Sequence, residues 1–158
     1  MTAPAVFTTL TTVSIVSSTR HHSRSPAETR ALGEQLGARL SAGSVVLLVG
    51  PLGAGKTVLA KGIARGLGVR DEINSPTYTI ISEYKGERGR VFHVDLYRIE
   101  GASQMENLGL EDLLRGDSVV IVEWGEKLEP WLDLPRIRVT LGMAADGGRD
   151  LLVEETGE

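Results

Sequence analysis

The chain has 158 residues, 41% of them hydrophobic and 24% charged, with a net charge of -4 and no cysteine. That length and balance suit one domain with a real core, and the lack of cysteine excludes disulfides, thiolate nucleophiles and thiolate zinc sites. The negative charge argues against a surface built mainly to hold nucleic acid, and no apolar run approaches the ~20 residues that span a bilayer.

Met1 to Arg24 is rich in Ser and Thr and carries no acidic residue. Its apolar runs are too short for a secretory signal. Val13 and Ile15 alternate with Thr12 and Ser14, which allows a short edge strand. The expectation is a flexible or weakly paired leader, residues 1–24, before a domain spanning 25–158. His21 and His22 are adjacent, so they would face opposite sides of any strand, which disfavours a metal site. Ser25-Pro26-Ala27-Glu28 starts a helix: Ser25 can cap, Pro26 suits the first helical position and Glu28 can close a capping box. Ala31, Leu32, Gln35, Leu36 and Leu40 continue an amphipathic pattern to about Leu40.

Val45 to Val49 is an unbroken apolar run, the pattern of a strand buried on both faces. It stops at Gly50, where Gly50-Pro51-Leu52-Gly53-Ala54-Gly55-Lys56-Thr57 fits the phosphate-loop pattern G-x-x-x-x-G-K-[ST]. Val58, Leu59, Ile63 and Leu67 follow at helical spacing, so the loop lies between a strand and a helix, the context that supports the motif. A di- or triphosphate needs many converging donors. Backbone N–H groups supply them where side chains are absent, hence Gly50, Gly53 and Gly55. The helix start adds its positive dipole end. Lys56 can reach the β- and γ-phosphates, and the Thr57 hydroxyl can ligate Mg²⁺. Lys61 and Arg65 occupy another face of that helix, most simply a solvated one.

Gly66 and Gly68 end the helix. Asn74-Ser75-Pro76 is a loop, and Thr77 to Tyr84 is rich in strand formers. Pro76 restricts Ser75 to extended geometry, while Thr77 and Thr79 share a strand face. Hydroxyls pre-set in this way could sense a γ-phosphate. A turn at residues 85–89 leads to a second strand, Arg90 to Arg98, so an antiparallel hairpin is expected. Met105, Leu108, Leu110, Leu113 and Leu114 suggest a helical segment broken at Gly109. Val119 to Val122 is another fully buried strand, ending in Glu123-Trp124. A helical turn over Gly125 to Leu128, a short strand from Arg136 to Leu141, a turn at Asp146-Gly147-Gly148 and an edge strand over Asp150 to Val153 complete the chain. The fold class is α/β: one domain, a mostly parallel sheet with an antiparallel hairpin, and helices on both faces.

A phosphate-loop enzyme needs an acid near the metal, usually at the carboxyl end of a hydrophobic strand. Glu123 directly follows the second buried strand and should face the phosphates. It is favoured as a direct or water-mediated metal ligand. Asp95, late in the hairpin, is favoured as a water-positioning or second metal group. His93 is read equally as a core histidine or a functional one, and Trp124 equally as lining the site or covering apolar surface.

The phosphate loop, Ser75-Pro76-Thr77-Tyr78, His93-Val94-Asp95-Leu96-Tyr97-Arg98, Leu108-Gly109-Leu110 and Val122-Glu123-Trp124 occur in this order and spacing. Together they resemble the TsaE (YjeE) family of small ATPases in bacterial tRNA threonylcarbamoyladenosine synthesis. The resemblance covers roughly Ser25 to Arg149. It implies a cytoplasmic, P-loop NTPase-like protein that binds ATP and Mg²⁺ and hydrolyses ATP slowly alone. Its implied partner is the tRNA threonylcarbamoyl transferase heterodimer, a catalytic subunit and its paralogue, which modifies adenosine 37 of tRNAs reading A-starting codons. tRNA would be met only through that complex. By matching position, Gly50, Leu52, Gly53, Ala54, Gly55, Lys56, Thr57 and Val58 would hold nucleotide, joined by Thr29, Thr77, Trp124 and Arg149. Thr57 and Glu123 would hold the metal. Lys56, Asp95 and Glu123 would carry the chemistry.

The alternative from the residues alone is a small-molecule kinase of phosphate-loop type. Such enzymes usually need an arginine-bearing lid, and Lys85 to Arg90 is short for one. A regulatory nucleotide switch without meaningful turnover is a third class. No N-K-x-D motif occurs for guanine.

Overall fold

Val45–Val49 is buried at every position and sits in the middle of one seven-stranded sheet. The computed structural model describes residues 14–74 and 80–157. In chain order its elements are β1 (Ser14–Ser23), α1 (Pro26–Ala38), β2 (Val45–Val49), α2 (Lys56–Gly66), β3 (Ile81–Gly86), β4 (Gly89–Asp95), α3 (Ala102–Asn107), α4 (Leu110–Arg115), β5 (Val119–Glu123), two 3-10 turns (Gly125–Lys127 and Glu129–Trp131), β6 (Ile137–Met143) and β7 (Arg149–Gly157). The strand order is β1-β7-β6-β2-β5-β4-β3. The four strands β6, β2, β5 and β4 are mutually parallel; β7 and β3 flank them antiparallel, and β1 pairs antiparallel with β7 at the edge.

Strand alternation sends the apolar run of β2 to two separate cores. Val46 and Leu48 join Leu36, Leu59 and Ile63 under α1 and α2. Val45 and Leu47 join Met105, Leu110 and Leu114 under α3 and α4. Helices therefore cover both faces, as a parallel sheet requires.

The helix start at Ser25 forms as expected. The Ser25 hydroxyl accepts from Glu28 N at 3.1 Å, with Pro26 in the first turn. The Glu28 carboxylate reaches back one residue further than a capping box, to Arg24 N. Gly109 stands at a φ of 66° between α3 and α4, a left-handed position suited to glycine, and this breaks the helical segment in two.

One packing feature was invisible to the hydrophobic pattern. Gly33 and Gly37 on α1 meet Gly62 and Gly66 on α2 with backbone against backbone. A Cβ on Gly33 would lie 2.6 Å from Leu59 O. Cβ atoms at Gly37, Gly62 and Gly66 would collide with the carbonyls of Ile63, Arg30 and Glu34. The side chains at a helix crossing set how near two axes come, and these four glycines let α1 lie directly on the phosphate-loop helix.

Three boundaries differ from the sequence reading. The segment taken as a leader contains a ten-residue strand, β1, paired along β7 from Ser14 to Ser23. Its Ser, Thr, Val and Ile content suits an exposed edge strand. Consequently β7 is no edge strand; it lies between β1 and β6 and runs to Gly157. The second hairpin strand stops at Asp95 instead of Arg98. There the Asp95 carboxylate accepts from Tyr97 N at 3.0 Å and turns the chain.

Candidate functional site

The parallel register brings the predicted residues to one level. Glu123 at the end of β5 stands beside Leu48 of β2 on one side and Asp95 of β4 on the other. The phosphate loop begins two residues beyond Leu48, so Glu123 ends the strand next to it and Asp95 the strand after that, both at the carboxyl edge of the sheet. Gly50 has a further reason to be glycine, because a Cβ there would lie 2.5 Å from Leu141 O. Gly53 and Gly55 have φ of 81° and 103°, values that side chains rarely allow. Ala54 is buried, Leu52 is exposed and Val58 half-buried.

Glu123 is 3% exposed and fully bonded. Its Oε1 accepts from the Thr57 hydroxyl at 2.8 Å, and its Oε2 accepts from His93 Nε2 at 2.6 Å. His93, on β4, is completely buried. The carboxylate acceptor places the proton on Nε2 and holds Glu123 in one orientation. His93 thus does more than fill the core: its Nε2 holds the Glu123 carboxylate from behind. Sequence reasoning had only the alternation of β4 to go on and could not name its partner.

Lys56 is buried, and its ammonium donates to Gly50 O at 2.6 Å and Pro51 O at 2.8 Å. It also lies 4.0 Å from the centre of the Trp124 ring, within cation–π range. Burial pushes the Lys56 pKa down, opposed by the carboxylates of Glu126, Glu123 and Asp95. Trp124 therefore lines the site. Its backbone is left-handed, with φ 60°, the one non-glycine residue with positive φ among the described residues. Such strain clusters at functional sites. It turns the chain sharply enough to lay the indole on Lys56 while Gly125 packs on Leu47. The Tyr97 ring lies 5.1 Å from the indole, tilted by 45° to it.

Arg149 opens β7 and grips the phosphate loop from outside, Nε donating to Ala54 O and the guanidinium to Gly53 O, both at 3.2 Å. Thr29 is buried on α1, and its hydroxyl is engaged with Ser23 Oγ at 2.7 Å. Thr77, with the rest of the Ser75 to Tyr78 motif, lies outside the described residues. Arg88, in the turn weighed as a short kinase lid, donates to Gly37 O and Ala38 O at the end of α1 and is held there.

A family model described as threonylcarbamoyl adenosine biosynthesis protein TsaE matches residues 23–151. The chain belongs to the TsaE family. A relative from Treponema pallidum, named tRNA threonylcarbamoyladenosine biosynthesis protein TsaE, is 39% identical over 83% of this chain and 96% of its own length. A Streptomyces coelicolor protein of the same name is 42% identical over 82% of this chain and 91% of its own. The crystal structure of Bacillus subtilis YdiB superposes with a TM-score of 0.72 at 32% identity, covering 91% of this chain and 88% of that one. The TsaE match takes in the phosphate loop, His93, Asp95, Glu123, Trp124 and Arg149 in one stretch, and begins just after His22. Among the described residues of this TsaE chain, no helix is long and apolar enough to cross a membrane.

Proposed function

We propose that this protein binds ATP with Mg²⁺ on the phosphate loop and hydrolyses it. We further propose that the turnover serves threonylcarbamoyladenosine formation at position 37 of tRNAs reading A-starting codons. It would do so in the cytoplasm by acting on the threonylcarbamoyl transferase heterodimer, with tRNA met through that complex. The observation that carries the nucleotide half is the Thr57–Glu123–His93 chain directly behind the phosphate loop. The names of the relatives support the pathway half.

The donor set fits Mg²⁺. A hydroxyl and a buried carboxylate 2.8 Å apart are hard oxygen donors, and His93 orients the carboxylate from behind. Among the described residues no group of three or more His, Asp or Glu side chains forms a cage of its own. This suits an ion that keeps waters and takes the rest of its shell from substrate phosphates. When bound, Mg²⁺ would neutralise charge on the phosphate oxygens.

The chain's own groups supply the remaining work. Backbone N–H groups of the loop and the start of α2 receive the phosphates. Lys56 exchanges the carbonyls of Gly50 and Pro51 for phosphate oxygens, a swap favoured because a buried ammonium gains more from an anion than from neutral acceptors. Asp95, the neighbour of Glu123 in the strand register, would orient water. The Trp124 ring covers the ammonium on one side.

The test is reconstitution. Threonylcarbamoyl transfer to tRNA is followed over many turnovers with the heterodimer alone, with this protein added, and with its Lys56→Ala variant. Sustained turnover with the wild type and a stall with the variant is expected. Equal turnover in all three would remove the pathway assignment, and absence of ATP hydrolysis with every partner present would remove the enzymatic one.

A further inference from the structure

Arg149 reaches the phosphate loop from a turn that is itself held by a histidine outside every motif above. His22 stands opposite Asp150 in the β1–β7 register. Its Nδ1 is 2.8 Å from Asp150 Oδ1, and its Nε2 is 2.8 Å from Asp146 Oδ2. Two carboxylates need two N–H donors. A neutral imidazole has one, an imidazolium two. The geometry is therefore that of a protonated histidine bridging two acids.

Asp146 passes the restraint on. Its Oδ1 accepts from Gly148 N at 2.8 Å, and the turn is closed by Ala144 N to Gly148 O at 3.0 Å and Gly147 N to Ala144 O at 3.1 Å. The turn also lies directly on β1, since a Cβ at Gly148 would run into Ser23 O. Arg149 then spans the gap. One guanidinium nitrogen donates to Gly147 O at 3.0 Å and Gly148 O at 2.9 Å, while the others donate to Ala54 O and Gly53 O. An unbroken run of hydrogen bonds leads from His22 to the two residues at the middle of the phosphate loop.

We infer that His22 is a positioning residue for nucleotide: protonated, it locks the turn at residues 144–148, and through Arg149 that turn holds Gly53 and Ala54 in place for phosphate. This rests on the reading that the loop binds nucleotide. The charged groups facing His22 are Asp146 from the turn and Asp150 from β7, and Arg20 shares its side of β1 two residues away. The hydrogen bonds to Asp150 and then Asp146 hold the His22 pKa above its ordinary value of 6.5. The Gly148 N–H and then His22 hold Asp146 below the usual carboxylate range. A raised histidine value means the lock is complete below 6.5 and is lost as pH rises through the raised value. Asp146 stays ionised throughout that window. Nucleotide affinity should therefore fall as the medium becomes more alkaline, because proton and nucleotide binding are reciprocal.

The experiment is ADP binding without Mg²⁺, measured by calorimetry from about pH 6 to about pH 8.5, a range that brackets histidine titration. Wild type, His22→Gln and Asp146→Asn are compared. The terminal phosphate of ADP itself titrates near the acid end of this range, with a pKa of about 6, so the readout is the ratio of variant to wild-type Kd at each pH. That ratio should be about five at the acid end, the low end of ordinary coupling between sites, and fall to about one at the alkaline end, alike for both variants and for the double variant. A variant that only weakened the fold would lower Tm without giving a ratio that changes with pH. If His22→Gln keeps the wild-type profile, the inference is overturned while nucleotide binding stands. If ADP fails to bind the wild type at any pH, the reading of the site itself falls.

Discussion

The Thr57 hydroxyl donates to Glu123 across 2.8 Å and joins the first turn of α2 to the end of β5. Both residues would face one metal ion, so their contact marks where that ion would enter. Glu123→Gln replaces a hard anionic ligand with a neutral amide. It should lower Mg²⁺ affinity in the presence of nucleotide by about 10- to 100-fold and leave metal-free ADP binding nearly unchanged. Titrating Mg²⁺ into both proteins checks this. If Asp95→Asn shows the loss and Glu123→Gln does not, the roles of the two acids are exchanged.

Lys56→Ala should abolish ATP hydrolysis, by at least about 100-fold, the usual effect of removing one preorganised donor to developing charge. Lys56 makes its bonds to loop carbonyls and the Trp124 ring, so the fold should survive its loss. Circular dichroism and turnover on the same sample decide the matter; a folded variant with wild-type turnover would sink the site.

His93→Phe keeps a flat ring but leaves the buried Glu123 oxygen without its donor. The loss should be about 1–3 kcal/mol of stability and about ten-fold in Mg²⁺ affinity. His93→Gln, which can still present an N–H, should recover part of the metal affinity. A purely packing role for His93 would give the opposite order, with Phe tolerated better than Gln in metal binding.

Gly37→Ala places a methyl against the Ile63 carbonyl at the α1–α2 crossing. Overpacking of this kind costs about 1–3 kcal/mol. The urea midpoint should fall while the m-value stays the same. An unchanged midpoint would mean that the helices part without cost, and that the glycines serve some purpose other than close approach.

Local pattern was enough for the strands, the helix starts and the phosphate loop, because each is set by residues within a few positions of one another. The run Val45 to Val49, the cap at Ser25, the break at Gly109 and the loop from Gly50 to Thr57 are of this kind. The placing of Glu123 beside the loop also followed from sequence, since parallel strands present their carboxyl ends at one edge. Strand limits were less legible. Asp95 ended β4 early through a bond from Tyr97 N, and β1 needed β7 as its partner before Ser14 to Ser23 could be a strand.

The identity of each contact was decided only by the tertiary structure. His93 meets Glu123 across 30 positions and Arg149 meets Ala54 across 95. No spacing rule reaches that far, because such pairs depend on which strands become neighbours and in what register. The same holds for Trp124 over Lys56, for the glycine faces of α1 and α2, and for His22 between Asp146 and Asp150. The sequence by itself determined that a loop of the phosphate-binding pattern opens a helix beside a buried acid. The sheet order and the helix crossing decided which side chains aim that acid, cover the lysine and hold the loop, because those contacts exist only once distant segments share a surface.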